Sequence, residues 1–170
     1  MGIRNSEELG TNLSKIALRL LKNQNLCKYL VYTNDSPLNN PDILDPVKDI
    51  LHKNIKIVPQ VNAEENSSKS TVVITYNKAI VDESNTEFKY VDLFVLVYVP
   101  LSEWVINDIN LRPFSIISEI EKSLKDKKVE GLGKLKYQGW EVDVITDRYS
   151  IFKMGFNLYA FDWYNLKSSF

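Results

Sequence analysis

The chain has 170 residues, with 21 basic and 22 acidic side chains and a formal net charge of -1. That near-neutral balance argues against a protein whose main task is gripping duplex nucleic acid, which calls for a strongly cationic surface. His52 is the only histidine and Cys27 the only cysteine, so most nucleophile–base pairs and zinc sites, and any internal disulfide framework, cannot be built within one subunit.

Apolar types make up 44% of the residues, enough at this length for one domain to build a core without disulfides or metals. A single cysteine fits a reducing compartment. Residues 1–8 lack the apolar run of a signal peptide. The longest apolar run, residues 93–101, falls well short of a membrane span and reads as a buried strand.

Two short helices open the chain. Leu13, Ile16, Ala17, Leu20 and Leu21 recur at helical spacing, with Lys15, Arg19 and Lys22 on the other side. After a polar break at residues 22–25, Leu26, Tyr29 and Leu30 continue the apolar surface, and Cys27 among them reads as a packed thiol. Residues 33–46 form a turn-rich, flexible connector, because Asn and Asp seed turns and each proline restricts its predecessor. Asp45 before Pro46 is placed to cap a short helix through Val47, Ile50 and Leu51. His52 at its end reads as a polar cap or surface residue.

A short strand over residues 55–58 stops at Pro59, and the polar tract 62–70 predicts an exposed loop. A strand over residues 71–76 follows. A second loop, residues 82–86, leads into 88–99, whose near-continuous apolar centre predicts a central strand covered on both faces. Trp104, Val105, Ile106 and Ile109 form a covering or docking segment. Pro113 opens a helix over residues 113–124, with Phe114, Ile116, Ile117, Ile120 and Leu124 as its buried stripe. The lysines at 122, 125, 127 and 128 read as its solvated end, where cations are favoured.

Gly131-Leu132-Gly133 is a turn, since it lacks phosphate-loop spacing. Strands over residues 133–144 and 151–163 then make an antiparallel hairpin, with Phe152, Met154, Phe156, Leu158 and Ala160 on one side. The fold class expected is α+β. A single domain carries a mainly antiparallel twisted sheet packed against one main helix, with short helices added at the N-terminus. Residues 163–170 are expected to serve as a contact tail.

Two acidic groups invite a hydrolase reading: Asp82, Glu83 and Glu87, and then Glu141, Asp143 and Asp147. Catalytic carboxylates need converging geometry and separated proton affinities. Closeness in sequence supplies neither, and surface positions in strands and turns explain both groups. The aromatic content points instead to an interface, where broad rings exclude water at modest entropy cost.

The order of features carries a resemblance. An N-terminal helix leads to strands, then to Trp104, the helix start Leu111-Arg112-Pro113-Phe114, Gly131-Leu132-Gly133 and a final hairpin around Tyr149. Over roughly residues 50–162 this resembles the tail terminators and head–tail completion (neck) proteins of tailed phages. The resemblance implies a structural virion protein, without enzymatic activity or cofactor. It would form a ring, commonly a hexamer, at the head-proximal end of the tail. Implied partners are further copies of itself, the tail tube protein, a head connector or stopper protein, and DNA passing through the lumen without sequence-specific binding, with no membrane involved. Trp104, Arg112, Asn66, Lys69, Glu83, Tyr149 and Trp163 are the implied ring contacts. Lys69, Lys78 and Lys89 are the implied lumen-facing residues. Two other readings stand beside it. One is a metal-dependent nucleic-acid-processing enzyme using Asp143, Glu141 and Asp147. The other is a soluble module holding a host protein through Trp104 and Trp163.

Overall fold

The computed structural model describes residues 6–57, 69–81, 88–129 and 133–159. Helix α1 spans Ser6–Leu21 and buries Leu9, Ile16, Ala17, Leu20 and Leu21. At 16 residues it is longer than the helix over Arg112–Leu124, here α4, which has 13. The expected α+β class, with a mainly antiparallel sheet and helices at the N-terminus, is what the structure shows, and α1 is the longer of the two main helices. The helix begins at Ser6, ahead of the stripe expected from Leu13, because Leu9 is a lone apolar residue among polar ones there and sets no period, although it is buried with the core.

Asn23 ends the break and caps α2, Gln24–Val31, by accepting a hydrogen bond from the Leu26 amide at 3.1 Å. Asp45 caps α3, Pro46–Ile50, by accepting from the Lys48 amide at 3.1 Å, with Pro46 in the first turn. Between them Pro37–Asn39 makes one 3-10 turn. Asn40 Nδ2 donates to Asn34 Oδ1 and to the carbonyls of Ser36 and Pro37. These bonds lace a connector whose composition alone suggests a loose loop.

Nine strands follow among the described residues: β1 Ile55–Lys56, β2 Thr71–Val81, β3 Phe88–Pro100, β4 Val105–Ile106, β5 Asn110–Leu111, β6 Lys128–Val129, β7 Gly133–Lys134, β8 Lys136–Ile145 and β9 Tyr149–Tyr159. Five form the main sheet in the order β1-β2-β3-β9-β8. Of its strand pairs only β1–β2 is parallel. The pairs β4–β5 and β6–β7 are small separate hairpins. The β4–β5 loop carries Asn107 and Asp108 at φ 50° and 64°, the left-handed region these two side chains tolerate best.

Strand β3 is central, as its length and apolar content predict, but only one of its faces is fully covered. Val91, Leu93, Val95, Val97 and Val99 are buried in the core with the helices, whereas Asp92, Phe94, Leu96 and Tyr98 on the other face are half-exposed. Both faces are apolar there, which hides the alternation. Strand β9 contributes Phe152, Met154, Phe156 and Leu158 to the same core, the side expected from its period of two.

A candidate assembly surface at the sheet edge

Strand β8 pairs with β9 on one side and ends the sheet on the other. Its outer row of backbone donors and acceptors has no strand partner among the described residues. It bears four exposed apolar residues: Trp140, Val142, Val144 and Ile145, with Ile145 59% exposed. The pairing slips twice, between Tyr137 and Gly139 and between Val142 and Val144. Gly139 takes φ 111° at the first slip, a conformation that side chains other than hydrogen rarely adopt. Bulges of this kind re-aim an edge and hinder indiscriminate pairing.

Trp140 and Val142 stand opposite Met154 and Phe152, on the helix-covered face at its rim. There the Phe114 ring lies 5.5 Å from both Trp140 and Phe152. Trp140 meets Phe152 edge-on at 5.7 Å, and Trp104 reaches Phe152 at 6.2 Å. Phe152 is buried, while Phe114 and Trp140 are 40% and 44% exposed. The core thus runs out to the edge and stops half covered. Val105 and Ile109 in the β4–β5 hairpin add further exposed apolar surface.

On the opposite sheet face, Glu141 forms an ion pair with Lys153, and this hydrogen bond raises the Lys153 pKa. The Lys153 ammonium lies 4.8 Å from the Phe94 ring centroid. Asp143 adds its charge to this neighbourhood, raising the Tyr98 hydroxyl after the larger effect of burial. Glu141 and Asp143 thus flank a lysine, and Asp147 is exposed in the turn before β9. Among the described residues no group of three or more His, Cys, Asp or Glu side chains is placed to hold a metal ion.

Arg112 requires a correction. Rather than facing a neighbour, it is wholly buried. Its Nε donates to the Glu103 carbonyl at 2.8 Å, Nη1 to the carbonyls of Tyr29 and Tyr32 at 2.8 and 2.7 Å, and Nη2 to that of Asn34 at 2.8 Å. The guanidinium fork satisfies the orphan carbonyls at the end of α2 and ties them to the start of α4. Burial lowers the Arg112 pKa, with the nearby Glu103 charge opposing. Glu103 is itself pushed up by burial, against a hydrogen bond from Ser70 Oγ at 2.9 Å.

The other expected contacts are scattered. Trp104 is half-buried, and its indole N–H donates to Ser150 Oγ at 2.9 Å. Tyr149 is half-buried, its ring 6.5 Å from Tyr98. Lys69 is half-buried just before β2, and Lys78 is exposed near the other end of that strand. Nine residues of extended chain separate them by ~30 Å, so they share no local site. Lys89 lies in β3, its side chain outside the described residues, as are Asn66, Glu83 and Trp163 entirely.

A groove of about 680 Å³ opens between α1, α4 and β6, lined by Lys15, Arg19, Lys22, Lys122 and Lys128 with Leu18 and Asn23. Two helix C-termini meet here. Arg19 Nε donates to the Ser123 carbonyl at 2.7 Å, and Lys122 pairs with Glu119 at 2.6 Å. Cations at such ends answer the negative end of the helix dipole.

A family profile named YomW matches residues 23–158, which takes in every element from α2 through nearly all of β9. The chain belongs to the YomW family. That family is phage-derived, and the protein is accordingly phage-related. No curated protein shows significant similarity to the chain. Among the described residues no helix is long and apolar enough to cross a membrane. Nothing in the sequence marks Trp140, Val142 and Phe114 as one surface. The alternation Trp140-Glu141-Val142-Asp143-Val144 marks a strand with one apolar side, but strand order within a sheet is not encoded locally.

Proposed function

We propose that this protein is a virion structural protein of a tailed phage, forming a ring at the head-proximal end of the tail. The ring, of six copies, caps the tail tube, joins it to the head connector and leaves a bore for DNA. Membership of a phage-derived family supports a phage role. The observation that carries the assembly reading is the β8 edge, where Trp140, Val142, Val144 and Ile145 are exposed and the side away from β9 has no strand partner among the described residues. An edge of this length and apolarity is a liability for an isolated monomer and an asset for a protein that meets another chain there. Lateral contacts that join one surface to a different one close into a ring when the rotation between subunits divides a full turn, and a closed ring consumes every lateral site and stops growth at a defined size.

The experiment is a mass measurement at assembly-level concentration with tail tubes present, together with negative-stain imaging of the tube ends. Rings seated on one end of each tube are expected. A chain that stays monomeric and leaves the tubes bare would sink the proposal.

A further inference from the structure

We infer that the cationic groove between α1, α4 and β6 binds the phosphate backbone of duplex DNA. One copy supplies the whole groove, so the inference does not depend on the ring reading. Lys15, Arg19 and Lys22 recur at i, i+4 and i+7 along one ridge of α1, and Lys122 of α4 and Lys128 of β6 line the same groove. On a chain of net charge -1, five cations gathered at one place leave the remainder net acidic. None of the five is among the lysines implied to face a lumen.

The fold accounts for only part of this charge. Arg19 bonds the Ser123 carbonyl in the last turn of α4, Lys122 is held by Glu119, and Lys22 follows the last residue of α1. The helix dipole acts within the last turn. Lys15 lies well before that turn and Lys128 is on a strand, so neither serves a helix end. Lys22 and Lys128 are exposed and have no ion-pair partner among the described residues. Like charges at i, i+4 repel, and an anion in the groove relieves that repulsion.

Three features select the ligand. Arg19 is oriented in advance: Nε and Nη1 donate to the carbonyls of Ser123 and Lys128 at 2.7 and 3.4 Å, and Nη2 has no acceptor among the described residues. A guanidinium fixed in this way, with lysines around it as point charges, suits phosphate oxygens. Lys15 and Lys22 stand ~10 Å apart along the helix axis, a spread that fits a chain of repeated anions better than a single one. No aromatic side chain is among the described lining residues, so bases have nothing to stack on, and a duplex that presents its backbone fits better than a single strand. An acidic protein helix would need several apolar anchors, whereas Leu18 is the one exposed apolar side chain among those lining residues. A contact of this size gives weak, sequence-independent binding, in keeping with a near-neutral chain.

The test follows the fluorescence anisotropy of a short labelled duplex titrated with the full-length chain at several salt concentrations. With Lys122 held by Glu119, three or four charges remain for phosphates, so affinity should fall roughly 40- to 150-fold between about 50 and about 200 mM salt. Lys22→Glu with Lys128→Glu should weaken binding at least about tenfold and reduce the salt slope by about 2. Lys48→Glu with Lys53→Glu reverses two exposed lysines elsewhere for the same net charge, and should change affinity by less than about threefold because screened, distant charges act weakly. Should the groove pair unfold, Lys22→Gln with Lys128→Gln carries the test with the same drop in slope. Equal losses in groove and control pairs, no duplex binding at low salt, or tighter binding of a single-stranded oligonucleotide or of poly-glutamate would each overturn the inference. Displacement of the duplex by inorganic phosphate at constant ionic strength would do the same, as the mark of a small-anion site.

Discussion

Arg112 Nη1 lies 2.7 Å from the carbonyl oxygen of Tyr32, which pins the end of α2 to the first residue of α4 across 80 residues of sequence. With its bonds to Glu103, Tyr29 and Asn34, this one side chain closes four backbone acceptors, those of Glu103 and Tyr29 in buried bonds and those of Tyr32 and Asn34 in part-buried ones. Replacing Arg112 with Met should cost about 3–5 kcal/mol, because the carbonyls and the Glu103 carboxylate lose their buried partner. The midpoint of urea unfolding checks it. Arg112→Lys should recover only part of the loss, since an ammonium cannot span the fork.

Glu103 makes stability depend on pH in a set direction. Burial raises its pKa above the ordinary carboxylate value, so the native state favours the protonated form more than the unfolded chain does. Its contribution is fully present below the unfolded pKa and is lost as pH rises through the native one. Glu103→Gln removes this titration. The variant's stability relative to the parent should therefore improve from pH 4 to pH 7, as read from paired urea titrations. A difference that stays flat or moves the other way would contradict the assignment.

Cys27 is fully buried in α2, and burial pushes its thiol up to about 11. Thiolate is the reactive species, so the native protein at pH 8 should resist a thiol reagent. Labelling should appear in step with global unfolding when urea is added. Rapid labelling of the native protein would show that α2 opens by itself.

Asn23 joins two helices. Its side-chain oxygen caps α2, while its amide nitrogen donates to Glu119 Oε2 at 2.9 Å and to Ser123 Oγ at 3.1 Å on α4. Asn23→Ala should cost about 2 kcal/mol, from a lost cap and the lost bonds to α4. Asn23→Asp keeps the cap but sets a carboxylate against Glu119 and the C-terminal end of α4, so it should also destabilise. Thermal unfolding of both variants decides this.

Trp104 holds the turn after β3 against the start of β9 through its bond to Ser150. Trp104→Phe keeps a ring near Phe152 and removes the donor, and should cost about 1 kcal/mol, again read from the unfolding midpoint. A larger loss would mean that the indole also supports the Phe114–Trp140 cluster at the β8 rim.

Signals carried by residues close together in the chain are legible in the sequence itself. Asp45-Pro46 marks the cap and first turn of α3, the spacing of Ile16, Leu20 and Leu21 marks the buried stripe of α1, and the period of two places Phe152 to Leu158 on one face. These features depend on interactions between neighbours in the chain, so a few residues suffice to specify them. The mixed α+β class follows from their order.

What the chain leaves open is every choice made between distant segments. Arg112 reads as a surface cation at the head of a helix until α2 and residue 34 bring their carbonyls around it. Val142 and Val144 read as any half-buried strand until strand order leaves β8 at the sheet edge. Burial and edge position arise from how elements pack, and packing joins residues whose separation in sequence carries no periodic trace. Sequence by itself determined the α+β class and the helices and strands whose signals are local. Only tertiary structure decided that a cation lies inside and that an apolar edge faces out.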